Sequence, residues 1–574
     1  MANPLQERKK PASTILEKHI NACRSVLWQT LSLSLVSNLM MLALPIYSLQ
    51  VLDRVISSGS TDTLLMLTLV TTSALICLSL VQSARSFILV RMGEWLDKKL
   101  SPAMFAHSIE SSVLQAGLST GSGSQHLRDL GVIKNFLSGP TLAALLDAPW
   151  SIIFIIILFM IHPINGLIAI LGGIILFIMA YLNEKMTKSL LDESGEHVVK
   201  AMSQAEVITR NSEAVESMGM LKNIVKKWEV TSAKGMALQS LASDRSAIIS
   251  GASRFIRLLL QVAITGVGGY LVLENKITVG GIIAGSIIVG RALAPFENSI
   301  ASWKGFISAR KSYSRLRDSL IKFPAREETM KLPKPAGNLV VENVYFKPPG
   351  SDKPTIRGIN FELKPGELLG IVGPSAAGKS TMAKMITGVW KPAAGIVRLD
   401  GADVYIWNRE DFGKHVGYLP QDVELFPGTI KENIARMDDN ADPENVVKAA
   451  KTATAHEMIL SLPKGYDTDI GISGAALSAG QRQRVGLARA FYGDVKLVVL
   501  DEPNANLDGE GEAALVSTLK HAKANKITTI IISHRPSLMA EVDKMLVVRE
   551  GVAVAFGDRE EVMQKLAAGS GQRQ

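Results

Sequence analysis

Two clusters in this chain combine residue types and spacings suited to phosphate chemistry. The run Gly373-Pro374-Ser375-Ala376-Ala377-Gly378-Lys379-Ser380-Thr381 follows the apolar segment Leu368–Val372 and precedes a helix-compatible stretch. A strand, a glycine-containing loop ending in Lys-Ser, and a helix make up a P-loop. Its glycines let backbone N–H groups curl toward phosphate oxygens, the ammonium of Lys379 balances the outer phosphates, and the Ser380 hydroxyl can bind Mg2+. Downstream, Lys-Leu-Val-Val-Leu-Asp501-Glu502-Pro reads as a buried strand ending in two carboxylates. Asp501 is expected to hold the metal through its water shell, and Glu502 to polarise the attacking water. ATP and Mg2+ are the cofactors these residues call for.

With these clusters placed, the stretch 338–568 resembles the ATP-binding-cassette family, whose motifs occur in order. Leu477-Ser478-Ala479-Gly480-Gln481 is similar to the family signature, with Ala479 for the usual glycine. Gln421, in GYLPQDVELF, matches the glutamine that senses the metal and the water nucleophile, and His534, in IISHR, matches the switch histidine of the terminal phosphate. Asn506-Leu507-Asp508 resembles the loop that signals across the dimer. The resemblance therefore implies catalytic roles for Glu502, His534 and Gln421, metal contacts from Ser380, Gln421 and Asp501, and nucleotide contacts in trans from residues 477–481. Since the chain holds one P-loop and one signature, it implies a homodimer with ATP between the cassettes. One position departs from the family: Pro348, in VYFKPPG, stands where an aromatic residue normally stacks on adenine. Tyr345 or Phe346 could substitute, but they alternate along a strand and point to opposite faces, so at most one can serve.

The elements that must position this chemistry fall into two halves. A chain of 574 residues exceeds one ordinary core. Long apolar runs occur only before about Pro295, and the later residues alternate short Val/Ile/Leu strands with helix-like segments, as in an α/β nucleotide-binding fold. Six stretches are long and apolar enough to cross a bilayer: Val26 to Leu49, Thr63 to Val81, Pro140 to Ile161, Ile164 to Leu182, Ile248 to Leu273 and Val279 to Phe296. The connections Asp53–Asp62, His162–Pro163 and Glu274–Thr278 are short. Those from Gln82 to Gly139 and from Asn183 to Ala247 are long, charged and basic, which suits helices continuing past the membrane and places them, with both termini, in the cytoplasm. HLRDLGVIKNF and NSEAVESMGMLKNIVKKW are candidate coupling helices within them.

The expected fold class is thus an α-helical polytopic membrane domain with six transmembrane helices of exporter type plus an α/β P-loop ATP-binding-cassette domain. Its divisions are a cytoplasmic N-terminal segment 1–25, a transmembrane domain 26–311, a linker 312–337, a nucleotide-binding domain 338–568 and a disordered tail 569–574. No cleavable signal peptide is evident. The net charge of +9 is what basic loops of a membrane protein produce and does not call for nucleic acid. Cys23 and Cys77 do not suggest a disulfide. Polar or helix-breaking residues interrupt the spans: Asn38, Pro45, Asp147, Pro149, Arg254, Arg257, Gln261 and Arg291. They either line a translocation path or pair between helices and snorkel from span ends.

The membrane half is similar to the type I secretion transporters, particularly the branch exporting proteases and lipases with uncleaved C-terminal signals. LPIYSLQVLDRVISSGSTDTL, FLSGPTLAALLDAPWSIIFIIILFMIHPINGLIAIL, ESMGMLKNIVKKW and RALAPFENSIASWKGFISARKSYSRL carry that resemblance. The short segment before the first span sets it apart from exporters with an N-terminal peptidase-like domain. The resemblance implies an ATPase coupled to transport in the bacterial inner membrane. The cassette and both termini would be cytoplasmic. The cargo would be an unfolded polypeptide, and the partners a periplasmic adaptor (membrane fusion) protein and an outer-membrane tunnel protein. A lipid or small-molecule exporter shares the architecture, and an ATP-gated channel or signalling scaffold would use the same cassette without pumping.

Overall fold

The computed structural model describes residues 15–114, 123–324, 326, 329–348, 351, 353–471, 474, 476–505 and 507–570. The chain divides into two compact units, with the main boundary between Ala325 and Arg326.

The first unit is helical. Six helical stretches are long and apolar enough to span a membrane: Ile15–Ser58, Thr61–Val113, Pro140–Ile161, Pro163–Arg210, Leu221–Leu273 and Val279–Lys322. Each contains one of the expected spans, and four of them run far beyond the apolar core, as the charged composition of the long connections requires. Thr278 caps the sixth, its hydroxyl accepting from the Gly281 N–H at 3.2 Å, and Pro163 opens the fourth at the position where its missing N–H costs nothing. Leu, Ile and Val cannot drive helices together in lipid, so close packing does. At Gly172, an added Cβ would stand 2.4 Å from the Leu260 side chain of the fifth span. The core there comprises Phe154, Leu158, Ala169, Leu176, Ile264, Val289 and Leu293.

Three expectations need correction. The connection Asp53–Asp62 is largely helical: Val51–Val55 forms a π-helical turn and Ile56–Ser58 continues it, with the break at Gly59, whose φ is +65°. The linker expected at 312–337 is helical through Lys322, because Leu316 is fully buried and Ser312 and Arg315 both bind Asp129. The tail is helical through Ser570, and 571–574 lie outside the described residues.

The polar residues within the spans mostly pair with one another. Arg85 meets Asp147 at 2.5 Å and Ser34 at 3.0 Å, and Asn38 donates to Asp147 at 3.2 Å. Glu297 takes Arg257 at 2.6 Å and Arg254 at 3.4 Å, and Gln261 donates to Ser286 at 3.0 Å. Arg291 is exposed. Of the two candidate coupling segments, the first lies in the helix Gly123–Ser138, where Leu130 and Ile133 are buried. The second forms the short helix Ser212–Ser217, a turn at Gly219 with φ +61°, and the start of Leu221–Leu273. Both cysteines are free.

The second unit is α/β. One sheet has the order β2-β1-β4-β5, formed by β1 (Leu339–Phe346), β2 (Ile356–Leu363), β4 (Ala394–Leu399) and β5 (Ala402–Asp403), with antiparallel pairing. The other has the order β10-β9-β3-β8-β7-β6, from β3 (Leu368–Val372), β6 (Val416–Leu419), β7 (Leu497–Asp501), β8 (Thr528–Ile532), β9 (Lys544–Arg549) and β10 (Val552–Asp558). All neighbours in it run parallel except β9 and β10. Strands β7 and β8 are buried at every position, which is why Leu497–Leu500 and Ile530–Ile532 read as continuous apolar stretches rather than alternating ones.

Candidate functional site: a nucleotide pocket at the carboxyl ends of the central strands

Register decides where the chemistry gathers. Ile371 of β3 and Asp501 of β7 both pair with Ile532 of β8, so three strands end at one level. The P-loop, the Asp501-Glu502 pair and Ser533-His534 therefore leave the same edge of the sheet, where open α/β sheets place their ligands.

The P-loop turns through backbone that side chains resist. Gly373 has no room for a Cβ, which would lie 2.1 Å from the Val548 carbonyl, and Gly378 adopts φ +99°. Ala376 is left-handed at φ +63° despite its Cβ, a strain of about 1 kcal/mol. The loop delivers the helix Lys379–Ile386 with its N-terminus toward the site. Lys379 is 7% exposed, and its ammonium donates to the carbonyls of Gly373 at 2.6 Å and Pro374 at 3.0 Å and to Nε2 of His534 at 3.1 Å. A triphosphate entering the loop would take over those donors. Pro374 and Ser375 are exposed, Ala377 is buried, and Thr381 lies in the first turn of the helix.

Asp501 ends β7 at 2% exposure, with one carboxylate oxygen, Oδ1, buried and without a hydrogen-bond partner. Burial raises its pKa above the ordinary carboxylate value, and the nearby Glu502 adds to this against the opposing hydrogen bond from Ser380. An orphaned acceptor beside a serine hydroxyl is suited to a divalent cation that keeps its waters. Among the described residues no group of three or more His, Cys, Asp or Glu could hold a metal alone.

Glu502 sits at φ +50°, left-handed and without glycine's freedom, pinned by its N–H to the Ile532 carbonyl at 2.9 Å. Such strain persists where the surroundings enforce it. Gln421 Nε2 donates to Glu502 Oε2 at 2.9 Å. The arrangement sets a carboxylate and an amide side by side at this edge of the sheet.

The signature segment stands apart from these groups. Ser478 is the N-cap of Ala479–Ala490, with a reciprocal box in which Gln481 N donates to Ser478 Oγ and Ser478 N to Gln481 Oε1. Gln481 is thus occupied as a cap, Leu477 is buried, and Ala479 and Gly480 form the first turn. Among the described residues no hydrogen bond or ion pair joins 477–481 to the P-loop. Asp508 caps Gly509–Ala524 through the Gly511 N–H and lies 3.6 Å from Arg484, while Asn506 lies outside the described residues. Sequence reasoning missed two supports of this edge of the sheet. Gln483, 1% exposed, donates to the Pro503 carbonyl at 2.9 Å, and Ser533 donates to Asn504 Oδ1 at 2.8 Å. A polar residue at the fifth position of a helix gives no signal of burial, so nothing local could have found Gln483.

The aromatic alternatives to Pro348 separate clearly. Phe346 is buried and stacked on Trp390, with centroids 4.9 Å apart and planes 7° from parallel. It pairs with Ile356, whose Cδ1 touches the P-loop side at Gly378. Tyr345 points to the other face, over Gly358.

The fold and this pocket define an ATPase coupled to a membrane domain, and comparison gives the class. The ABC transporter family model matches 356–505 and that of the ABC transporter transmembrane region matches 27–291. The chain belongs to the ABC transporter family and is a multi-pass membrane protein that binds nucleotide. It is 41% identical over 526 residues to the type I secretion system ATP-binding protein PrsD of Rhizobium meliloti (strain 1021), covering 92% of this chain and 90% of that one. It is 29% identical over 554 residues to the leukotoxin translocation ATP-binding protein LktB of Mannheimia haemolytica, covering 94% and 77%. Its fold matches that of a bacterial Atm1-family ABC exporter with ATP bound, with a TM-score of 0.80 at 23% identity over 96% of this chain and 99% of that one.

Proposed function

We propose that this chain is the motor of a type I secretion system, using ATP to move polypeptides, proteases or lipases with C-terminal signals, out of the cytoplasm. The observation that carries the reading is the 41% identity to PrsD, which extends through both the membrane half and the cassette. The basic long connections favour a cytoplasmic cassette and termini in a bacterial inner membrane. The separation of residues 477–481 from the P-loop favours a homodimer in which each signature completes the other copy's pocket. In that pocket Mg2+ would be held by Ser380, Asp501 and Gln421, with Glu502 as base and His534 at the terminal phosphate. A periplasmic adaptor and an outer-membrane tunnel would complete the path.

The test is uptake by inside-out vesicles containing the purified chain. ATP should drive a polypeptide bearing a C-terminal secretion signal into the lumen, and the same polypeptide without that signal should stay out. ATP-dependent movement of a labelled phospholipid, with no uptake of either polypeptide, would replace this reading with a lipid exporter.

A further inference from the structure

Beyond the ends of the apolar spans lies a buried cluster that nucleotide chemistry does not use. His107, 5% exposed, and His126, 8% exposed, meet edge to face with ring centroids 5.2 Å apart. Both rings reach one hydroxyl: Ser319 Oγ is 3.0 Å from His107 Nε2 and 2.9 Å from His126 Nε2. His126 Nδ1 is 3.1 Å from Ser108 Oγ, which itself donates to the Met104 carbonyl at 2.8 Å.

Counting hydrogens gives the arrangement for two neutral rings. Ser108 has one hydrogen and gives it to Met104, so it must accept from His126 Nδ1–H. In the neutral ring the other nitrogen of His126 is a bare acceptor, and it takes the hydrogen of Ser319. Ser319 can therefore only accept from His107, which places a proton on His107 Nε2. His107 Nδ1 is left bare, and it is buried without a partner. The network closes with both rings neutral. A further proton either goes to His107 Nδ1, where no acceptor waits, or goes to His126 Nε2, which turns the Ser319 hydrogen toward His107 Nε2 and again leaves an N–H on His107 Nδ1 with no acceptor.

Two neighbouring carboxylates already have partners. Asp129, the carboxylate acting on His126, already accepts from Arg315 Nε at 3.0 Å, Ser312 at 2.9 Å and Gln125 at 3.1 Å. Glu17 of the N-terminal helix pairs with Arg317 at 3.0 Å. Glu110 is half-buried, and Asp318 and Lys322 are exposed.

We propose that His107, His126 and Ser319 form a proton-operated latch that joins the extensions of the second and sixth spans to the helix Gly123–Ser138 and opens when a ring is protonated. Burial is the main cause holding both imidazoles below their usual pKa, with each ring's charge opposing the other's at His107 and Asp129 partly offsetting burial at His126. Because the folded values are depressed, the latch contributes fully above the unfolded imidazole value of about 6.5 and is lost as pH falls through the folded values.

The test is hydrogen exchange on the full chain in lipid nanodiscs, compared at about pH 7.5 and about pH 5.5. In the wild type, protection of 104–112 and 316–322 should fall at the lower pH by about tenfold or more relative to Leu497–Asp501, since each unit below a controlling pKa is a factor of ten. His107→Gln keeps an N–H for Ser319 without a titratable ring and should remove most of that difference. Ser319→Ala should lower protection at both values and abolish the difference. Unchanged wild-type protection at the lower pH overturns the proposal, as does an equal loss in His107→Gln. Should His107→Gln fail to fold, Ser319→Ala decides, and wild-type behaviour in that variant also overturns it.

Discussion

Gln421 and Glu502 are joined by a 2.9 Å hydrogen bond although 81 residues separate them in sequence. The Glu502 carboxylate is therefore held by a group outside its own strand, and its left-handed backbone is pinned to β8. Two features that need no substrate thus preset its position.

Glu502→Gln should lower ATP turnover by about 10^2- to 10^4-fold, the usual contribution of general-base catalysis. The amide retains a hydrogen-bonding partner for Gln421, so nucleotide affinity should change little. Steady-state hydrolysis alongside equilibrium nucleotide binding checks this. Turnover within tenfold of wild type would remove Glu502 from the role of base.

Base recognition should be weak and improvable. Phe346 is committed to Trp390, and Tyr345 faces away from the side on which Ile356 meets the P-loop. Pro348→Tyr should lower the KM for ATP by about tenfold, because a stacked base contributes about 1–3 kcal/mol, whereas Tyr345→Ala should leave it unchanged. Parallel KM measurements with ATP and GTP provide the comparison.

In the membrane unit, Arg85 and Asp147 should behave as a pair. Asp147→Ala alone leaves a guanidinium 9% exposed with only Ser34, at a cost of about 3–5 kcal/mol. Arg85→Met with Asp147→Leu should cost much less than the sum of the single changes. Thermal unfolding in detergent, arranged as a double-mutant cycle, measures the coupling, and additivity would rule out the pairing.

Asp53 should be a fastener rather than a cargo contact. Its carboxylate accepts from Thr278 Oγ1 at 2.5 Å and from the Gly280 N–H at 2.9 Å, and a Cβ on Gly280 would stand 2.7 Å from Asp53 Oδ1. Asp53→Ala should cost about 1 kcal/mol, as a lost helix cap does, and Gly280→Ala should be at least as damaging. Melting temperatures of the two variants test this, and a neutral Gly280→Ala would contradict the close approach.

Much of this was legible because it is local. The six apolar runs and the loop 373–381 announce themselves within about twenty residues. Strand β7 could be recognised from Val and Leu alone. What the sequence hid depends on distance along the chain. Asp129 and Arg315 are 186 residues apart, so the part of the helix from Ser312 through Lys322 looked like a charged linker. Arg85 read as one of many basic residues in a long connection, since nothing near it named Asp147. Val51–Val55 is a π-turn rather than a loop because Asp53 is held by the start of the sixth span, and no neighbouring residue signals that.

The stretches Pro163–Arg210 and Leu221–Leu273 have 48 and 53 residues and run without a proline inside them. At 1.5 Å per residue each is a strut of roughly 70–80 Å, and a pivot of about 5° at one tip swings the other by about 6–7 Å. A displacement of that size is close to the width of a helical backbone. Stiffness alone would thus let a modest nudge at one end open a gap at the other, with no residue along the way having to change its conformation.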